Sequence, residues 1–377
     1  MEKHLPFGSF KAVYIAIASF GAALMVSPDT LAMLGQFAGT TGRSGSLFIL
    51  AGMFLFSGMI YLSSREIAGQ SGQVSLSWGE PGSMIFMTGV LIKMAAVVVF
   101  ATGLLVSSGF AFNEIFLYWF PNFGFAFILL GIVCALQFLS FRIKIWIQVG
   151  LAAIPVIGLL ILIVIGWFQA ALEPVSGYPL SSLSPGIFGP QSLFIPLLLL
   201  LGIELGTAAV PDNFEDRRAV YRVMIGTVVF MGIVFLVTAH VMTLHVPLKK
   251  LSQTTIPHII YARTVLGDTG RYLMGAMIIS GSLAAVHGVF TYIYRAMAKI
   301  GTVKSVPFGL NQPGLMIIVL SIITGVLMGS GLAGSDRLEW IIRLMLIIWL
   351  AFWLTSGPVG FFLPKIFPLS NHKTEGK

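Results

Sequence analysis

The feature that most constrains this chain is a series of ten continuous apolar runs, at 12–38, 45–66, 84–109, 122–141, 145–168, 191–212, 220–245, 271–300, 313–333 and 338–362. A helix needs about 20 apolar residues to cross the hydrocarbon core of a bilayer. Runs such as Ile154 to Phe168 show no alternation. Membrane β-barrel strands, which alternate apolar and polar over about ten residues, are therefore excluded. Only 10% of the 377 residues are charged, 57% are hydrophobic and the mean hydropathy is +0.95. A soluble domain carries about 25% charged residues, and the few polar residues here could not cover this much apolar surface. The chain reads as an all-α integral membrane protein.

An even number of spans puts both termini on one side. With the N-terminus inside, 14 Lys and Arg fall on the cytoplasmic side and 7 on the other, with Lys93 inside a span. The excess of Lys and Arg in cytoplasmic loops places both termini in the cytoplasm of a cell membrane, with a bacterial inner membrane as the expected setting. The same scatter of basic residues through short loops accounts for the net charge of +8 without nucleic acid. Tyr118, Trp119 and Phe120 suit an interfacial aromatic belt. The one cysteine, Cys134, rules out an internal disulfide and a multi-cysteine metal site. Nothing near the start resembles a cleavable signal peptide. No soluble domain or linker is apparent, so residues 1–377 read as one membrane domain, with a first half over 12–168 and a second over 191–362. No cofactor is implied.

Two runs contain residues that oppose a continuous helix. The first reads Phe20-Gly21-Ala22-Ala23-Leu24-Met25-Val26-Ser27-Pro28-Asp29, and the sixth reads Leu200-Leu201-Gly202-Ile203-Glu204-Leu205-Gly206 before Pro211-Asp212. Proline removes a backbone hydrogen bond and glycine lowers the cost of leaving the helix. Peptide groups freed at membrane depth are tolerated only where they face protein or a watery cavity. Paired Gly/Pro interruptions at corresponding places in two halves point to a transporter's binding site. Here they fall in spans one and six, the first of each five-span half. The alternative is a pair of ordinary kinks packed against neighbouring helices.

At these residues the chain resembles the amino acid–polyamine–organocation (APC) transporter superfamily, in the manner of an amino acid permease. Gly21-Ala-Ala-Leu-Met-Val-Ser-Pro28 is similar to the family's first-helix motif G-S-G-I-F-x-x-P, and Gly202-Ile203-Glu204 to its sixth-helix G-F-E. Glu215-Asp-Arg-Arg-Ala-Val-Tyr-Arg222 stands where the family has N-P-R-R-N-I-P-R. Tyr61-Leu-Ser-Ser-Arg-Glu66-Ile-Ala-Gly resembles the end of the second helix, and Arg295-Ala-Met-Ala-Lys-Ile-Gly301 the end of the eighth. The matches run in family order over most of the chain. The departures are Gly-Ala-Ala for G-S-G, Glu-Asp for N-P, and ten spans where twelve are common.

The resemblance implies ten transmembrane helices in a 5+5 inverted repeat with helices one and six broken, the leucine-transporter-like fold. It implies that a substrate carboxylate rests on backbone amides near Gly21, Ala22, Ala23 and Leu24. A substrate ammonium would meet carbonyls before the sixth-helix break, over Leu198 to Leu201 and Gly202. A half-helix N-terminus supplies the partial positive charge and free donors such a carboxylate needs. Leucine at 198, where relatives often carry an aromatic gate, suggests a small or aliphatic substrate.

Charges placed at mid-bilayer are expensive and so are functional candidates. Glu204, beside the sixth-helix break, is a candidate proton carrier; its alternative is a structural hydrogen bond to the broken backbone. Lys93 is a candidate ion-coupling residue or a side chain snorkelling to the interface. His287 and His240 are candidate proton relays or satisfied core histidines. Ser280 and Ser282 are candidate ligands of a sodium site, by resemblance to sodium-coupled relatives, or packing serines. Asp29 is a candidate cap for the second half of the first span. Arg217, Arg218 and Arg222 with Asp212, Glu215 and Asp216 read as a solvated face or a gate of ion pairs.

The leading expectation is a secondary active transporter of a small amino acid or related zwitterionic amine, working by alternating access as a proton-coupled symporter or an antiporter. Its partners are that small molecule and the lipid bilayer. The alternative is a membrane-embedded sensor with a transporter-like fold, as in spore germinant-receptor subunits. An enzyme is not expected: H-E-x-x-H, G-x-S-x-G and paired intramembrane aspartates are all missing from the sequence.

Overall fold

The computed structural model describes residues 10–67, 84–172, 190–211, 214, 216–300, 313–331, 340 and 344–351. Among these the regular structure is entirely helical. The first span is two helices, α1 (Phe10–Gly21) and α2 (Pro28–Thr41). They are followed by α3 (Gly45–Ile67), α4 (Met84–Ile115), α5 (Asn122–Leu136) and α6 (Phe141–Leu172). The sixth span is α7 (Pro190–Leu199) and a 3-10 helix, Ile203–Ala209. Beyond it lie α8 (Arg217–His245), a short α9 (Leu248–Gln253), α10 (Pro257–Ile300) and α11 (Pro313–Gly329). The tenth predicted span, 338–362, falls mostly outside the described residues; 344–351 are helical.

Five of these helices are long and apolar enough to cross a membrane. Their outward faces carry large apolar side chains, among them Leu47, Phe54 and Leu55 on α3 and Ile157, Val164 and Phe168 on α6, all exposed. A face of this kind marks contact with lipid or another apolar partner. Tyr118 and Trp119 are exposed in the turn after α4, which Asn113 closes by donating from Nδ2 to the Phe120 carbonyl at 2.7 Å.

Several boundaries differ from the sequence reading, and the third span runs on six residues past 109, to Ile115. The fourth span ends at Leu136, five residues early, where Gln137 turns its side chain into the protein. The eighth span, expected from 271, begins just after Gly267, whose φ of 60° divides α10 and sets a separate short helix over 257–266 before it. The fifth runs over Phe141–Leu172 and takes Pro155 in its interior.

Two cores hold the helices together. The larger gathers Phe20, Ala23, Leu24, Leu201, Leu205, Phe235 and Phe290. The smaller joins α2, α6, α8 and the first part of α10 through Leu31, Leu162, Met242 and Tyr261. Within the larger core α1 packs on the 3-10 helix and on α6, while α10 lies along α6 and α4. Both interrupted spans are therefore interior elements.

Candidate functional site

Both helices that the sequence marks as unable to continue do stop. After Gly21 the chain runs through turns over 22–26 and re-enters a helix at Pro28. Ser27 is the cap: its backbone is extended, and its Oγ accepts from the Thr30 amide at 3.3 Å. Pro28 follows at the first helical position, where its missing N–H costs nothing. Asp29, expected as the cap, instead lies one residue inside the first turn of α2. A carboxylate there still meets the positive end of the helix dipole. The Thr30 hydroxyl reaches back 2.8 Å to the Leu24 carbonyl and so satisfies one acceptor freed by the break.

The sixth span stops after Leu199. Gly202 sits at φ 97°, a left-handed conformation that few residues but glycine adopt. The Leu201 amide closes on the Leu198 carbonyl at 3.2 Å, and the Leu205 amide on the Gly202 carbonyl at 2.8 Å.

The two interruptions touch. A Cβ on Gly202 would lie 2.6–2.8 Å from the Leu24 side chain, and one on Gly21 would lie 2.8 Å from Ile203 Cδ1. One on Gly206 would lie 2.8 Å from the Ile17 carbonyl. At Gly21 and Gly206 backbone approaches backbone, and at Gly202 the Leu24 side chain takes the space a Cβ would fill. From α10, Gly281 lies against the Val26 carbonyl and Gly288 against Ala23. Ala22, Ala23, Leu24, Leu198 and Leu201 are all buried.

Not every peptide group in the breaks is taken up by the backbone. The Ala22 amide donates to the Ala18 carbonyl at 2.8 Å and the Ala23 amide to the Phe20 carbonyl at 3.2 Å. Among the described residues, no backbone–backbone hydrogen bond outside the helices takes up the amides of Leu24 and Met25 or the carbonyls of Ala23 and Met25 in the first break, nor the amides of Leu200, Gly202 and Ile203 or the carbonyls of Leu199, Leu200 and Leu201 in the sixth. Buried backbone groups are paired in the great majority of cases. Each break therefore leaves both donors and acceptors outside the backbone hydrogen bonding of the described residues.

Polar side chains surround this centre. Glu204 is buried, and its Oε1 accepts from the Trp349 indole at 2.5 Å. His287 is fully buried, with Nδ1 2.7 Å from Gln148 Oε1. The Gln148 amide nitrogen reaches the Ser19 carbonyl of α1 at 3.5 Å and the Ala284 carbonyl at 3.2 Å. Gln137 donates to the His287 carbonyl at 3.3 Å and accepts from Thr291 at 3.2 Å. Ser280 donates to the Leu151 carbonyl at 2.8 Å. Ser282 is fully buried with an unpartnered hydroxyl.

One predicted residue stands apart. His240 lies against Trp167 at 5.8 Å. Trp167 is 19 residues beyond Gln148 on α6, about 28 Å at the helical rise. The backbone of Lys93 belongs to α4, but its side chain lies outside the described residues. Of the basic and acidic group after the sixth span, Asp212, Glu215 and the Arg217 side chain also lie outside them. Arg222 pairs with Asp216 at 3.5 Å in an exposed bridge of the kind that contributes little.

Arg295, known from the sequence only as part of a motif, donates to the Ala208 and Val210 carbonyls at 2.8 Å each. It stacks over the Phe141 ring at 4.6 Å. It thereby ties the end of the 3-10 helix to α10 and to the start of α6. Gln137, Gln148, Thr30 and Trp349 were not singled out from the sequence. For the two glutamines the signal was present, as uncharged amides inside apolar runs.

Fold and site define an all-helical integral membrane protein built around two broken helices whose interruptions abut. No protein-family model matches the chain, and no curated protein matches it. Among solved structures it is similar to a Na+-coupled sialic acid symporter in a substrate-bound outward-open state. The identity is 13%, over 93% of this chain and 87% of that chain, with a TM-score of 0.49. Neither the sodium nor the sialic acid of that protein is carried over to this one.

Proposed function

We propose that the chain is a secondary active transporter for a small zwitterion of the amino acid type, and that the two abutting breaks are its binding site. The observation that carries this reading is the abutment of two broken helices, Gly202 on Leu24 and Gly21 on Ile203, where the helical hydrogen-bond ladders are interrupted. Among the described residues both breaks leave amides and carbonyls outside backbone hydrogen bonds, the two kinds of partner that the carboxylate and the ammonium of a zwitterion need. An unpaired peptide group in an apolar interior costs about 1–3 kcal/mol, so a solute that supplies both partners stabilises the site where an apolar one does not. The surrounding side chains are Ala22, Ala23, Leu24, Leu198 and Leu201, an apolar lining that suits a small aliphatic side group.

Alternating access follows from the same construction. Each break divides a span into two halves joined by a few residues without helical hydrogen bonds. Either half can then rotate about φ/ψ changes confined to that joint, the usual behaviour of hinges. The ten-helix inverted repeat and the cytoplasmic placement of both termini belong to this proposal. So does coupling to a proton or to a counter-transported solute, for which Glu204 and His287 are the buried titratable groups beside the breaks.

The test is uptake of radiolabelled glycine, L-alanine, L-valine and L-leucine into proteoliposomes holding the purified chain, with and without an inward proton gradient. Accumulation or counterflow of at least one is expected. Saturable binding in detergent with neither accumulation nor exchange would replace the transporter with the sensor reading.

A further inference from the structure

We infer that His287 is the proton-binding group of this protein, and that its protonation loosens the packing of α10 and α6 against the first broken helix. The geometry fixes how the imidazole is protonated. The Gln148 side chain donates through Nε2 to two carbonyls, Ser19 and Ala284, so the oxygen of that amide is the atom turned toward His287. An amide oxygen only accepts. Nδ1 of His287 therefore carries its hydrogen, and Nε2 is left with a bare lone pair. That nitrogen is buried and has no hydrogen-bond partner. It is the one basic atom of the Gln137–Thr291–His287–Gln148 network still open to a proton.

Adding that proton changes what the pocket must provide. Nε2 becomes a donor, and no acceptor stands within reach in this packing. The nearest aromatic neighbour is the Phe20 ring, centred 6.2 Å from the imidazole. A buried charge with an unmet donor is costly, so the protonated chain favours any arrangement that opens Nε2 to water or to a solute carboxylate. The titratable groups on the elements packed around His287 oppose the closed, protonated form or stand aside from it. Lys144 of α6 is buried and sits over the Tyr294 ring at 4.3 Å; where it carries its proton it repels a charge on the imidazole. Tyr292 and Arg295 follow on α10 itself, Cys134 lies on α5, and Tyr14 and Lys11 lie toward the start of α1. Glu204 is on the 3-10 helix and takes the Trp349 indole.

Gln148 makes this local event a conformational one. One amide joins the imidazole of α10 to a carbonyl of α1 two residues before Gly21, where the helix gives way. Proton affinity that differs between two packings is what couples a proton to a conformational cycle, and the linkage is reciprocal. The assignment rests on the transporter reading only in calling that cycle transport; the proton switch is tested without any solute.

The experiment reads the accessibility of position 282. In a Cys134→Ser background, Ser282→Cys replaces a buried hydroxyl that has no partner. Its rate of reaction with a maleimide is followed from pH 8 to pH 5.5 in nanodiscs, normalised to Lys249→Cys on the exposed surface to remove the pH dependence of thiol reactivity. With His287 present, the normalised rate is expected to rise about tenfold on acidification, following the population of the opened form. With His287→Gln, or His287→Asn should the first variant not fold, it is expected to be flat. Glu204→Gln, whose amide oxygen still accepts from Trp349, is expected to keep the full rise. A flat profile with His287 intact overturns the assignment, and so does a rise that survives loss of His287 or disappears in Glu204→Gln. Failure of the uptake panel with a normal pH profile would remove the transporter reading and leave the switch standing.

Discussion

Gly202 is the position at which the sixth-helix break can be tested most directly. Replacing it by alanine adds one methyl group and two separate costs. The backbone there lies at φ 97°, and an L-residue held in the left-handed region costs about 1–2 kcal/mol. The new Cβ would also lie 2.6 Å from Leu24 Cδ1, 2.7 Å from its Cβ and 2.8 Å from its Cγ. Forcing such a contact in a packed core costs about 1–3 kcal/mol. Together Gly202→Ala should destabilise by about 2–5 kcal/mol, a large share of the roughly 5–15 kcal/mol that holds a domain folded. The two parts separate in a double-mutant cycle with Leu24→Ala. That second change removes Cγ and Cδ1 but leaves the Cβ contact and the strained φ, so it should return part of the loss and not all of it. Coupling of about 1–2 kcal/mol between the two sites is expected, against about 0.5 kcal/mol or less for sites that do not touch. The measurement is equilibrium unfolding in mixed lipid–detergent micelles, with counterflow as a check on function. A Gly202→Ala chain as stable as its parent, or two substitutions that simply add, would refute the abutting breaks.

Three other perturbations follow from the same geometry. Ser27→Ala should cost about 1 kcal/mol by removing the cap of α2, and adding Thr30→Val should cost more because the Leu24 carbonyl then loses its donor; a thermal-shift series checks both. Arg295→Ala should free the end of the 3-10 helix at about 1–3 kcal/mol, seen as faster maleimide labelling of Val210→Cys, while Arg295→Lys, lacking the planar fork, should recover only part. Gly281→Ala would bring a Cβ to 2.3 Å from the Val26 carbonyl and should push α10 away from the first break, lowering both thermal stability and counterflow; unchanged values in both would show that this approach is not used.

The sequence alone determined which parts of the chain are apolar enough to span a membrane and which two of them cannot run unbroken. Both properties are local: hydropathy is summed along the chain, and the loss of a helical hydrogen bond at Pro28 or the freedom of Gly202 acts within one turn. Tertiary structure decided what the breaks are for. Only packing puts Gly202 on Leu24 and Gly21 on Ile203, and only the folded backbone shows the Ala22 and Ala23 amides paired back onto α1. The cap of α2 fell to Ser27 instead of Asp29 because a two-residue shift in the helix start decides which side chain faces the free amides. Gln148 escaped notice for a related reason. An uncharged amide raises no alarm in an apolar run, and its value lies in joining atoms 129 and 139 residues away in the chain, a relation that exists only after folding.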